Sequence, residues 1–257
     1  MSLARQHRDR TLAMQAASAP VTGGGFALAQ LRRDPADAAA AEMRLRLRHD
    51  RIRLKQIKAT AGKIAAKRDM LPAYRAWCDG VLDAGRMTEG RELSPGTAPE
   101  ILPTIMVWSI DTGDWARALE LAEHVLRFAV PLPDHYRRDA ASLMVEEIAE
   151  AALAAQLAGQ SFPIDVLEQV EQLVAGADMH DEIQAKLAKA IGFELARAAT
   201  EIDTGAADFI TAATRALEPL RRAQTLHARS GTKTKVAQLE KAIKAAGATQ
   251  EIAEPIG

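Results

Sequence analysis

Aromatic residues make up 4 % of this 257-residue chain, cysteine occurs once, and no apolar run approaches the roughly 18 residues of a membrane span. The lone cysteine, Cys78, excludes an intrachain disulfide and any multi-cysteine zinc site. Few aromatics beside abundant alanine argue for tightly packed helices over β-sheets, which favour β-branched and aromatic residues. The N-terminus carries charges but no apolar stretch before a cleavage site, so a secretory leader is not expected. Gly23-Gly24-Gly25 has no Lys-Ser or Lys-Thr after it at the spacing a phosphate loop needs, and reads as a hinge. His7, His49, His124, His135, His180 and His227 are scattered, none at a metal-ligand spacing, so no metal site is expected.

What the chain does have is charge sorted by sign. The net charge of -1 conceals 16 basic against 6 acidic residues through Arg75, and 17 against 28 in the remainder. The basic excess concentrates in Glu42–Leu71, where Arg44, Arg46, Arg48, Arg51, Arg53, Lys55, Lys58, Lys63, Lys67 and Arg68 face three acids and no proline intervenes. Met43, Leu47, Leu54, Ile57, Ala61, Ile64 and Leu71 recur in steps of three, four and seven, with Asp50 and Arg68 as polar exceptions. That spacing predicts one helical rod of about 45 Å, its apolar seam suited to pairing with another helix. Leu45 and Ile52 widen the stripe, and Gly62 is its weak point. Uniform charge along a helix is self-repelling, and a phosphate backbone would relieve the repulsion while releasing counterions.

Elsewhere the chain reads as helices with short breaks. Residues 1–40 are expected as a flexible arm, with a short amphipathic helix over Ser2 to Ala16, and 41–72 as the long basic helix. Tyr74, Trp77, Cys78 and Val81 share a helical face until Gly85, and 86–99 is a polar loop rich in proline and glycine, the expected internal boundary. From Glu100 apolar faces repeat, ended by Pro131, Gly159 and Gly176, with Pro219 inside the penultimate helix. The domain at 73–246 is expected to be stacked helical hairpins, Gly113–Leu119 resembling tetratricopeptide units, before a frayed tail at 247–257. The fold class is therefore all-α.

Two Asp-Thr-Gly tripeptides, at 111–113 and 203–205, invite comparison with aspartic proteases. Helices flank both, and Asp114 suits an N-cap, so both read as turns. Glu146-Glu147, Asp178 and Asp181-Glu182 supply carboxylates that suit magnesium, in a composition that produces such clusters routinely. Trp77, Trp108 and Trp115 lie at helical spacing among aliphatics and read as core.

Lys67-Arg68-Asp69-Met70-Leu71-Pro72, followed by Trp77 and Gly80-Val81-Leu82, resembles the signature of phage terminase small subunits, specifically those of Peduovirus-like temperate tailed phages. Ile101-Leu102 through Met106 and Trp108, Asp111-Thr112-Gly113-Asp114, Ala118-Leu119-Glu120, Arg137-Arg138, Glu146-Glu147, Ala177-Asp178-Met179, Asp181-Glu182 and Ala185-Lys186-Leu187 extend the resemblance from about residue 40 to 245. The resemblance implies a homo-oligomer in the host cytoplasm. It would recognise the cohesive-end site of double-stranded phage DNA and deliver the DNA to a large ATPase subunit for cutting and packaging into the procapsid. It also carries the label of endonuclease subunit, although no catalytic constellation stands out among the residues. The relatives' lysine-rich tail has no counterpart here, which shifts the expected DNA contact onto the basic helix.

Three readings follow. The first is a DNA-recognition subunit without cofactor, its ten basic residues on phosphates and Met43, Leu47, Leu54, Ile57 and Ile64 joining subunits. The second is a metal-dependent endonuclease, with magnesium held by acids of the helical domain. The third is a helical-repeat adaptor whose basic helix grips the acidic half of a neighbour.

Overall fold

A computed structural model describes residues 2–18, 34–88, 96, 98–204 and 207–253, and every regular element among them is helical. The helices are α1 (Leu3–Ser18), α2 (Pro35–Gln56), α3 (Thr60–Met70), α4 (Arg75–Met87), α5 (Ile101–Thr112), α6 (Trp115–Arg127), α7 (Ala140–Leu157), α8 (Ile164–Leu173), α9 (Asp181–Thr200), α10 (Ala207–Leu226) and α11 (Lys233–Ala253). A 3-10 turn, Leu71–Ala73, joins α3 to α4 and contains Pro72. The chain divides into two compact units, 1–140 and 141–257. The sequence places its boundary at 86–99 instead; of that segment, residues 89–95 and 97 lie outside the described residues.

In the first unit α5 is apolar almost throughout, and every residue from Ile101 to Ile110 is buried. Gly113 closes it in the left-handed region at φ 74°, a conformation that costs a Cβ-bearing residue energy, and its N–H reaches the Ile110 carbonyl. Asp114 then caps α6 by accepting from the Arg117 N–H. The first Asp-Thr-Gly is thus a helix-to-helix turn, while Gly205 of the second lies outside the described residues.

Residues 3–18 differ from the flexible arm expected there. Helix α1 packs on α4 with Ala13, Ala16 and Ala17 buried, and Arg10 pairs with Asp83. The crossing is close because Gly80 has no side chain: a Cβ there would lie 2.2 Å from the Arg10 carbonyl oxygen. The end of the expected arm, 35–40, forms the first turns of α2. The hinge glycines 23–25 lie outside the described residues.

In the second unit α9 and α10 are the most closely packed helices, with alanines Ala196, Ala199, Ala213 and Ala216 buried alongside Phe209, Leu217 and Leu220. Val236 and Leu239 add α11 to that core. Pro219 is accommodated inside α10, which continues as one element. Lys186 on α9 ties down α7, its Nζ lying 2.7 Å from Glu146 and 2.6 Å from Glu150.

Candidate nucleic-acid interface

Helix α2 begins with strong local signals. The Asp34 carboxylate accepts from the Ala36 N–H at 2.9 Å, Pro35 occupies the first turn, and alanines fill 36 and 38–41. Asp37 sits in the first turn and Arg53 and Lys55 in the last, as the helix dipole favours. Its buried stripe is Ala36, Ala40, Met43, Leu47 and Leu54, and it packs on α1, α3 and α5. The gap in the stripe is Asp50, whose carboxylate accepts the Tyr74 hydroxyl at 2.7 Å.

The single rod expected over 42–71 is interrupted. Ile57 ends α2 in extended geometry, φ -86° and ψ 121°, and α3 starts at Thr60 with no side-chain cap. The break comes before Gly62, where a Cβ would sit 3.0 Å from Ile57 Cγ2, so the isoleucine packs closely over the first turn of α3. Two consequences correct the sequence reading. The rod is two helices, and its seam is not an open surface, because Met43, Leu47 and Leu54 are buried in this chain's own core while Ile57 and Ile64 are half-buried. Hydrophobic periodicity records that a face is covered, not which chain covers it.

The ten cations divide by what they touch. Lys67 is ion-paired with Asp111, and Arg68 donates to the Thr112 carbonyl at 3.0 Å, so both tie α3 to the C-terminal turn of α5. Arg44 lies 3.3 Å from Glu100, and Arg46 3.9 Å from Glu42 one turn earlier. Arg48, Arg53, Lys55, Lys58 and Lys63 make no ion pair with a described residue, and the first four are exposed. In steps of four, three and four, Arg44, Arg48, Arg51 and Lys55 form one stripe along α2. Arg46 and Arg53 fall on another face, in a mixed-charge groove with Glu42, Asp50 and Asp69.

The structure adds a member that the sequence does not announce. Arg51 Nη2 lies 3.2 Å from His135 Nδ1, on the segment after α6. Partial burial, then the charges of Arg51 and Lys55, hold His135 below the usual imidazole range, so at neutral pH its Nδ1 accepts from the guanidinium. Arg137, two residues on, is exposed. A contact 84 residues apart leaves no local pattern to read.

Two of the five carboxylates weighed for magnesium have cationic or imidazole neighbours. Glu146 is buried beneath Lys186, and Glu182 lies 3.7 Å from His227. Among the described residues no group of three or more His, Cys, Asp or Glu side chains is placed to hold a metal. Trp77 and Trp108 are core residues, Trp115 is half-buried, and burial pushes the Cys78 thiol up to about 12. No described helix is long and apolar enough to cross a membrane.

The sequence profile of a family described as "Phage small terminase subunit" matches residues 44–182, which spans the α2 stripe and all of α3–α8. A protein named "Terminase, endonuclease subunit", from Escherichia phage P2, is 36 % identical over 203 residues, which is 79 % of this chain and 74 % of that one. No solved structure matches.

Proposed function

Because this chain belongs to the phage small terminase subunit family, we propose that its cationic α2 stripe binds double-stranded phage DNA at the cohesive-end packaging site and presents it to the large ATPase subunit for cutting and packaging. The observation that carries this is the set Arg48, Arg53, Lys55, Lys58 and Lys63, none of which makes an ion pair with a described residue. Unpaired cations on α2, the turn after it and the start of α3 keep their charge for phosphates, whereas Lys67, held by Asp111, contributes to the fold. His135 sits beside the stripe and holds Arg51, in its middle, through the Nη2–Nδ1 contact. Consecutive helices that pack in pairs, α5 with α6 in the first unit and α9 with α10 in the second, support a hairpin, tetratricopeptide-like organisation within each.

Self-association belongs to the same reading but needs a surface other than the buried seam. Leu45 and Ile52, 63 % and 52 % exposed and seven residues apart beside the cationic stripe, are the apolar side chains α2 leaves uncovered. Leu45→Glu with Ile52→Glu is expected to lower the particle mass measured by light scattering.

The test of DNA binding is the salt dependence of affinity for a cohesive-end duplex. Reversing charge at Arg48, Arg51 and Lys55 is expected to flatten the log–log slope by about 3, near one per phosphate lost. An unchanged slope removes the stripe from the interface. No binding at low salt favours the adaptor reading, with the basic face held by another protein. The P2 relative's name, an endonuclease subunit, favours a second reading, DNA cleavage by this chain, for which acids of the helical domain would hold magnesium. Nicking by the purified chain that is lost in Glu146→Ala or Asp178→Ala would support it.

A further inference from the structure

A cavity of about 310 Å³ in the first unit, away from the α2 stripe, joins two guanidinium groups, a buried hydroxyl and an apolar wall. Leu71, Pro72 and Ile105 form the wall, while Arg68, Arg75 and Ser109 supply the polar groups. Ser109 is fully buried within α5, yet its Oγ meets no hydrogen-bond partner among the described residues. A buried hydroxyl is nearly always bonded, so its donor capacity calls for a partner that enters the cavity. Arg75 is exposed and makes no ion pair with a described residue; Arg68 spends one contact on the Thr112 carbonyl and retains further N–H donors. The third arginine, Arg117, is already engaged by Asp79 at 2.7 Å and by Glu120 at 2.5 Å. Asp114, the acid in the lining, is committed to capping α6.

We infer that this cavity is a docking site for an acidic peptide segment, an Asp or Glu flanked by an apolar residue, presented by a partner protein. Planar guanidiniums grip a carboxylate through paired N–H donors, the Ser109 hydroxyl supplies a further donor, and the flanking side chain lies on Leu71, Pro72 and Ile105. The recess favours a peptide over DNA: a duplex backbone is reached by exposed side chains such as those of α2, and has no apolar group to fill a leucine- and proline-lined hollow. This site is separate from the proposed DNA stripe, and its failure leaves that proposal standing.

The test is a nuclear magnetic resonance titration of the full chain with acetyl-Leu-Glu-Leu-amide and with its Gln counterpart. The Glu peptide is expected to shift the Gly113 amide and the Arg68 and Arg75 side-chain signals, and to bind about tenfold more tightly than the Gln peptide. Arg75→Gln and Ser109→Ala are each expected to weaken the Glu peptide severalfold while leaving DNA affinity and its salt slope unchanged. Ser109→Ala removes only an unbonded hydroxyl, so it keeps the fold and isolates the polar contribution. Equal binding of the two peptides, or unchanged binding in both variants, overturns the inference. Displacement of the peptide by a short duplex also overturns it, because the cavity would then be a phosphate site.

Discussion

The Tyr74 hydroxyl donates to Asp50 Oδ2 across 2.7 Å, joining the turn before α4 to the buried face of α2. Tyr74 is fully buried, so this bond answers both the phenol and the one acid on the apolar stripe. Tyr74→Phe is expected to destabilise the first unit by about 1–3 kcal/mol, the value of a buried hydrogen bond to a charged group. Burial first, and the Asp50 contact second, hold the phenol above its ordinary value of 10 in the folded chain. The unfolded phenol therefore ionises first: the contribution is whole below pH 10 and declines above it. Urea melts of wild type and Tyr74→Phe from pH 8 to 11 should converge as pH rises; parallel curves would remove Tyr74 from the alkaline response.

Arg48 and Lys67 lie on successive helices of one basic segment, yet should respond oppositely. Lys67→Met breaks the pair with Asp111 and is expected to lower Tm while the salt slope of DNA binding stays fixed. Arg48→Gln removes a cation with no ion-pair partner among the described residues, and should leave Tm in place while lowering that slope by about 1. Two variants that move both quantities together would contradict the division of labour.

His124 is buried on α6, its ring tilted against Phe128 with centroids 4.7 Å apart. Burial, reinforced by Arg127 and Arg86, holds the imidazole down at about 4 against an ordinary 6.5. Between those values the unfolded chain binds a proton that the folded chain refuses, so stability is whole above pH 6.5 and is lost as pH falls towards 4. The loss should be about 3 kcal/mol at most. His124→Gln should flatten the change in urea midpoint from pH 7 to 4.5, and an equally steep change would shift the acid response to other groups.

Local patterns in the sequence carried the helices from α4 onward. Proline and glycine punctuation located the ends of α5 through α8, Asp114 announced its cap, and apolar spacing found the stripe of α2. What escaped were features decided by distant residues. The break at Ile57, where the isoleucine packs close to Gly62, lies in a segment whose composition suits a continuous helix. The docking of α1 depends on Gly80, and the His135 contact on a segment far along the chain. Charge alone did not separate a lysine serving as a tether from a neighbour left open, since that depends on where Asp111 arrives.

The packing of α1 on α4 also bears on how the chain is born. Helix α1 is made well before its seat at Gly80 and Asp83, since Arg10 and Asp83 are separated by 73 positions. Until that later stretch emerges, α1 has only α2 to pack against, and the loop to be shut is a long one. Translation speed across this interval then becomes a variable of folding yield, and a ribosome stalled before residue 80 would hold a nascent chain in which α1 has yet to meet α4.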